Sequence, residues 1–308
     1  MEVILYSIAL IASILIITKA GNIFVDSACA IAKGIGVSRA VIGLTIVSFA
    51  TTAPEFFTST MASFFGNVGM AYGNAVGSVV ANTGLILAVA LIMKAMPVEK
   101  ERLLEGLALL GCAGLTTLMA LDGDLNRYEA AILLVSMIAF LTLVTRREIK
   151  NKNKEKRSAG LKRPALLFIF GTLGIVFGSR LLVYSGAGIA RLLGISEAVI
   201  GFTLLAVGTS IPELVTAVIS TRKRVAELSL GNIIGANILD LLWVLGASGA
   251  ISPLIVAPKT LLFSNLIMMA TVAFLLLFMK TGLRLTRKNG VFLLAIYIIY
   301  LIGLGIIG

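Results

Sequence analysis

The chain has 308 residues, of which 58% are hydrophobic and only 13% charged, about half the ~25% usual in a soluble domain. A mean hydropathy of +1.04 leaves no soluble fold a place for so much apolar surface. That excludes a cytosolic enzyme and a secreted domain and points to a polytopic protein in a lipid bilayer. The net charge of +11 is not a nucleic-acid signature. The segment Arg146–Arg163 holds nine basic residues against Glu148 and Glu155, and so carries +7 of it. No histidine is present, which removes imidazole-based zinc sites, haem ligation and Ser-His triads.

In chain order, Met1-Glu2 leads straight into apolar residues without a basic leader, so the first run is expected to be a retained span rather than a signal peptide. Apolar runs follow at Val3–Thr18, Ala40–Met93 (broken near Gly66-Asn67), Gly106–Leu121 and Ala130–Thr145. Beyond the basic linker come Ala165–Ser179, Ala198–Thr221, Leu228–Pro258, Thr260–Met279 and Gly290–Gly308. Some are shorter than the ~20 residues that cross ~30 Å, so flanking residues must contribute. The alternating pattern of a closed barrel is not seen. These runs predict an all-α polytopic membrane protein of ten transmembrane helices. Five belong to residues 1–145 and five to 165–308, joined by a basic linker at 146–164.

Placing that linker in the cytoplasm puts 22 of the 26 basic residues inside, leaving Arg127, Arg180, Arg191 and Lys259 outside. On this count Lys19 and Lys33 fall in an inside loop, and both termini lie outside a plasma-membrane protein. Cys29 and Cys112 sit in apolar runs with no CxxC spacing and are expected to pack rather than react.

The two halves repeat at a constant offset of 158 residues. Ser38-Arg-Ala-Val-Ile-Gly-Leu-Thr45 matches Ser196-Glu-Ala-Val-Ile-Gly-Phe-Thr203, Thr51-Thr-Ala-Pro-Glu55 matches Thr209-Ser-Ile-Pro-Glu213, and Gly73-Asn-Ala-Val-Gly77 matches Gly231-Asn-Ile-Ile-Gly235. From Ser27 to Thr58, 14 of 32 positions are identical without a gap. Five spans per half is an odd number, so the halves enter the membrane from opposite sides. Secondary transporters use such inverted repeats and bind substrate near the midplane where the repeats meet.

The repeated segments carry the polar chemistry. Glu55, Glu213 and Asp240 lie deep in apolar spans, with Asn82 at the position equivalent to Asp240. An unpaired charge at helix centre costs on the order of 2.5–3.5 kcal/mol on insertion scales. No Lys or Arg lies in these spans, so the economical partner is a bound cation. Thr51 and Thr209 precede the glutamates by four residues, and Ser48, Thr52 and Ser210 share the same helical faces. Carboxylates among hydroxyls suit hard cations such as Ca²⁺ and Na⁺ rather than soft metals. Pro54 and Pro212 should free the carbonyls of Ala50 and Gly208 and kink their helices. Two GxxxG pairs, Gly73/Gly77 and Gly231/Gly235, should let the helices bearing Asn82 and Asp240 approach closely. Ser78, Thr58 and Thr216 read first as hydroxyls bonded to their own helix backbone.

At these motifs the sequence resembles the Ca²⁺/cation antiporter superfamily, in particular prokaryotic sodium/calcium exchangers. Gly43–Glu55 with Gly73–Asn82, and Gly201–Glu213 with Gly231–Asp240, are the two signature segments. The resemblance implies a ten-helix fold with four clustered ion sites and no resident cofactor. The calcium site would use Glu55 and Glu213 with the carbonyls of Thr51 and Thr209. One sodium site would use the Ser48 carbonyl, Thr51, Thr52, Glu55 and Ser78, and its mirror the Ala206 carbonyl, Thr209, Ser210 and Glu213. A middle position would lie between Asn82, Asp240 and the two glutamates. The first helices of the two halves, around Val3–Val37 and Ala165–Ile195, would slide as the gate. The chain departs from the family at Ala236, where a serine is usual, and at Ala50-Thr-Thr-Ala. The expected activity is antiport of Na⁺ against Ca²⁺, with H⁺ as the alternative counter-ion and no obligate protein partner.

Overall fold

The structure is a computed structural model that describes residues 2–150, 160–193 and 206–307. The helices are α1 (Glu2–Ile35), α2 (Arg39–Phe64), α3 (Val68–Met93), α4 (Arg102–Met119) and α5 (Arg127–Lys150). The second half follows with α6 (Lys162–Leu192), α7 (Ile211–Arg222), α8 (Ala226–Ile251), α9 (Pro258–Lys280) and α10 (Arg287–Ile307). Among the described residues, nine of these are long and apolar enough to cross a membrane. The other, α7, continues the run expected from Ala198, whose residues up to 205 lie outside the described ones, as does the matched segment Ser196–Thr203. The protein is therefore an all-α polytopic membrane protein.

Two span boundaries differ from the sequence expectation. The runs Val3–Thr18 and Ala165–Ser179 stop at Lys19 and Arg180, yet α1 continues to Ile35 and α6 to Leu192. Lys19 and Arg180 therefore ride mid-helix rather than in loops. A lone basic side chain does not interrupt the backbone ladder, and an exposed one can lay its methylenes along apolar surface while its head finds water. Asp26 is likewise on α1 and pairs with Lys223 at 2.6 Å.

The helices α1 and α6 cross antiparallel. Their close approaches run in opposite senses along the two chains: Phe24 over Gly171, Ala20 over Gly174, Ile17 over Gly178 and Tyr6 over Gly188. With no Cβ on the α6 glycines, the backbones meet in near contact. This pair shares an apolar cluster with the flanks of α2 and α7, built on Phe24, Ile175, Val47 and Val215. The outer faces of both helices show large apolar side chains such as Ile4, Leu15, Phe170 and Phe177 to lipid.

The remaining helices wrap α8, whose residues from Leu228 to Leu242 are all buried. Here the second GxxxG pair acts as expected. A Cβ at Gly231 would collide with the Ala40 carbonyl oxygen, and one at Gly235 with that of Leu44, so α8 lies backbone-to-backbone on α2. At the first pair the space is looser among the described residues: a Cβ at Gly77 would meet the Tyr300 hydroxyl at 3.5 Å, and one at Gly73 nothing within 4 Å.

Two short antiparallel ribbons tie the halves at their loops. Met96–Pro97 (β1) pairs Arg284–Leu285 (β4), and Asp124–Leu125 (β2) pairs Leu254–Ile255 (β3). Each joins a loop of one repeat to a loop of the other. With two residues per strand, no hydrophobic alternation announces them.

Candidate ion-binding site

Local backbone irregularity marks the site. α2 is π-helical at Gly43–Val47 just before Ser48, α3 at Asn82–Leu87, and α8 at Asp240–Val244. Single π turns inside α-helices cluster at functional positions because the extra residue re-aims side chains. Those opening at Asn82 and Asp240 are repeat equivalents.

The two prolines act differently. α2 runs on through Pro54. In the second half the chain turns at Thr209-Ser210 after a short helix, Ala206–Gly208, and α7 starts afresh with Pro212 in its first turn. The kink expected in a continuous helix at Pro212 is instead a helix start. Proline fits there because the first-turn N–H has no intrahelical acceptor anyway. Glu213 thereby sits in the first turn of α7, where the helix dipole favours a negative charge, while Glu55 lies mid-helix.

The side chains meet across the repeat interface in symmetric pairs. Ser210 Oγ donates to Glu55 Oε1 at 3.0 Å, and its equivalent Thr52 Oγ1 reaches Glu213 Oε1 at 3.5 Å. Thr51 Oγ1 donates to Asn232 Oδ1 at 3.2 Å, and Thr209 Oγ1 to Asn74 Oδ1 at 3.4 Å. Asn82 Nδ2 faces Asp240 Oδ2 at 3.4 Å. Thus each glutamate is held by a hydroxyl from the other half.

The remaining expected residues fall beside these. Ser78 Oγ lies 3.4 Å from Ser210 Oγ, so it joins the network rather than only its own helix. The Ser48 hydroxyl donates to the carbonyls of Leu44 and Thr45 at 2.9 Å, while its own carbonyl accepts from Thr51 at 3.3 Å. Thr216 donates to the Pro212 carbonyl at 2.8 Å, as a helix hydroxyl should. Ala206 opens the short helix before the break; its side chain is outside the described residues. Asn74 and Asn232 were not singled out from sequence, although the repeated Gly-Asn pair was the signal. Asn237, which donates to Thr83 Oγ1 at 2.8 Å, has Val79 as its repeat equivalent and gave no signal.

Glu55, Glu213, Asp240 and Asn82 are each at most 1% exposed. Four of their oxygens, Glu55 Oε2, Glu213 Oε2, Asp240 Oδ1 and Asn82 Oδ1, have no hydrogen-bond partner. Among the described residues no ion pair involves these carboxylates. Buried polar atoms are nearly always bonded, so four orphaned acceptors in one region require an explanation. A group of carbonyl, hydroxyl and carboxylate oxygens short of donors is what a hard cation needs. Among the described residues no three carboxylates converge on one point, so hydroxyl and carbonyl oxygens must complete any ion's shell.

A cavity of about 290 Å³ adjoins this cluster between α2, α3, α6 and the start of α7. Thr58, Thr209, Ser179 and Arg180 are among its lining residues. It lies on the half of the molecule that carries the α2–α3 turn at Gly66. On the opposite half, Gly21, the repeat equivalent of Ser179, is packed tightly against Val215 and Ile219 of α7.

Membrane-length helices in two sequence-related halves around a cluster of buried, donor-poor oxygens fit the class of secondary membrane transporters. The comparisons with known proteins make this specific. The chain belongs to the sodium/calcium exchanger protein family, whose model matches residues 5–146 and 163–305. It is accordingly a transporter of the Ca²⁺/cation antiporter superfamily and not an enzyme. It is 33% identical to the sodium/calcium exchanger MaX1 of Methanosarcina acetivorans, over 95% of this chain and 96% of that one. It is 30% identical to the inner membrane protein YrbG of Escherichia coli, over 95% and 94% of the two chains. The solved structure of the sodium-calcium exchanger NCX_Mj soaked with zero Na⁺ and Ca²⁺ superposes with a TM-score of 0.88 at 30% identity, covering 98% of this chain and 99% of that one.

Proposed function

We propose that this protein exchanges Na⁺ for Ca²⁺ across the plasma membrane by alternating access, the ions competing for a midplane site built on Glu55 and Glu213. The observation that carries this is the state of the two glutamates. Both are buried, each is held once by a hydroxyl of the opposite repeat, and each keeps a free oxygen with no basic partner. Family membership and the names of MaX1 and NCX_Mj support the choice of ions.

In this reading Ca²⁺ takes Glu55 and Glu213 with the carbonyls of Thr51 and Thr209. Na⁺ takes the flanking positions, one at the Ser48 carbonyl, Thr51, Thr52 and Ser78, the other at the Ala206 carbonyl, Thr209 and Ser210. Asn82 and Asp240 flank the middle. Empty carboxylates at this depth are costly, so the unloaded transporter resists changing sides, and the two fluxes couple. The repeats are residues 1–145 and 165–308, both termini face outside, and the linker at 146–164 is cytoplasmic.

One observation favours a second reading, proton/Ca²⁺ antiport on the same fold. Ala236 is fully buried at the position equivalent to Ser78, so one sodium position lacks its hydroxyl. Uptake of ⁴⁵Ca²⁺ into proteoliposomes separates the two. An outward Na⁺ gradient at clamped pH drives uptake if the first reading holds. Uptake under a pH gradient alone, with none under Na⁺, would replace it with the second.

A further inference from the structure

Inverted repeats predict two equivalent faces, but the charges along the sliding pair α1 and α6 are not equivalent. Arg180 lies at the middle of the 31-residue helix α6 and, among the described residues, is the one charged side chain lining the cavity beside the ion cluster. No ion pair or hydrogen bond holds it among the described residues. Its repeat equivalent is Asn22, a neutral amide on α1. On that other face Lys223 reaches the Asn22 carbonyl at 3.3 Å and is paired with Asp26 at 2.6 Å. An unpaired arginine therefore borders the cavity on one face, while the equivalent position on the other holds a neutral amide beside a paired lysine.

We propose that Arg180 sets ion selectivity at the cavity face, by imposing a positive potential that opposes Ca²⁺ more than Na⁺. This rests on the assignment of Na⁺ and Ca²⁺ as the exchanged ions. Coulomb energy is linear in the charge of the ion, so a penalty factor f for a monovalent cation becomes f² for a divalent one. Ca²⁺ bound at the midplane is thus released more readily to the cavity face, while Na⁺ entry is less affected. On the proposed orientation that face is the outside, and the asymmetry favours export of Ca²⁺. Arg180 is exposed, so its guanidinium meets the water of the cavity and its charge acts on ions entering there.

The test measures Ca²⁺ uptake in right-side-out and inverted membrane vesicles, driven by an outward Na⁺ or an outward proton gradient, whichever the protein uses. At ~20 mM ionic strength Arg180→Gln is expected to lower the apparent KM for Ca²⁺ at the cavity face about tenfold. The inhibition constant for Na⁺ at that face should fall only about threefold, the square root of the divalent effect. Arg180→Lys should match the wild type, the opposite face should not change, and ~0.3 M salt should shrink the difference. Equal factors for both ions, a Lys variant that behaves like Gln, or an unchanged KM overturns the proposal while leaving exchange itself intact. Should the variants fail to fold, the wild type decides. Its KM for Ca²⁺ must fall with added salt at the cavity face and not at the other, and a salt response equal at both faces overturns the proposal. If neither gradient drives uptake in the wild type, the proposed function falls, and this inference with it.

Discussion

The two repeats present the same motif, Thr-x-x-Pro-Glu, in different backbone. In the first, α2 continues through Pro54 and holds Glu55 mid-helix. In the second, the chain breaks at Thr209-Ser210 and Glu213 opens α7. The side-chain pairs remain symmetric, so the network is set by residue identity while the backbone beneath it differs. The faces differ too: Gly21 is sealed against α7, while its equivalent Ser179 borders a cavity. A transporter built from equal halves must at any moment be unequal, because access from both sides at once would dissipate the gradients it couples.

The sharpest way to break the symmetry is at the carboxylates. Glu55→Gln and Glu213→Gln should each abolish Ca²⁺ exchange with expression intact. Losing one partner of a buried ionic contact costs about 3–5 kcal/mol, a hundredfold or more in affinity. Normal ⁴⁵Ca²⁺ exchange in either variant would show that the two glutamates do not share one site.

Packing gives the next largest effect. Gly231→Ala puts a Cβ into the Ala40 carbonyl, where backbone rather than a flexible side chain must yield. A loss of about 1–3 kcal/mol is expected, read as a lower Tm of the purified protein in detergent. Gly66, in the turn between α2 and α3, has a φ of +81° and no close neighbours, so Gly66→Asn should change Tm much less.

The cross-repeat hydroxyls test how unequal the halves are. The Ser210 bond to Glu55 is 3.0 Å and the Thr52 bond to Glu213 is 3.5 Å. Hydrogen bonds to charged groups contribute about 1.5–3 kcal/mol, and less when long. Ser210→Ala should therefore weaken Ca²⁺ binding more than Thr52→Ala, about tenfold against about threefold; isothermal titration would reveal equal losses if the network were symmetric in strength. The smallest expected change is a gain. Ala236→Ser restores the hydroxyl that Ser78 supplies on the other side and should tighten Na⁺ binding by a few fold, about the worth of one neutral hydrogen bond. No change in Na⁺ dependence would mean the hydroxyl at this position takes no part in binding sodium.

Much of this was written in the chain. The apolar runs located the helices because lipid permits only internally bonded segments to cross. The constant offset of 158 gave the inverted repeats, since residues at the interface are duplicated with it. The Pro-Glu pair kept at that offset pointed to Glu55 and Glu213, and a charge deep in an apolar span to Asp240, with Asn82 as its equivalent. Span ends were misplaced at Lys19 and Arg180, because charge marks where a side chain prefers water, and helix hydrogen bonding ignores it.

Only the tertiary structure decided which groups meet. Ser210 bonds Glu55 across 155 positions and Thr51 bonds Asn232 across 181. Those distances close through the backbone contact of α8 on α2 and through three π turns, none of which has a hydropathy period. Composition and periodicity report each residue's preference for water or lipid. Which unpaired oxygen faces which, and which face holds an open cavity beside a free arginine, depends on how helices from both halves cross.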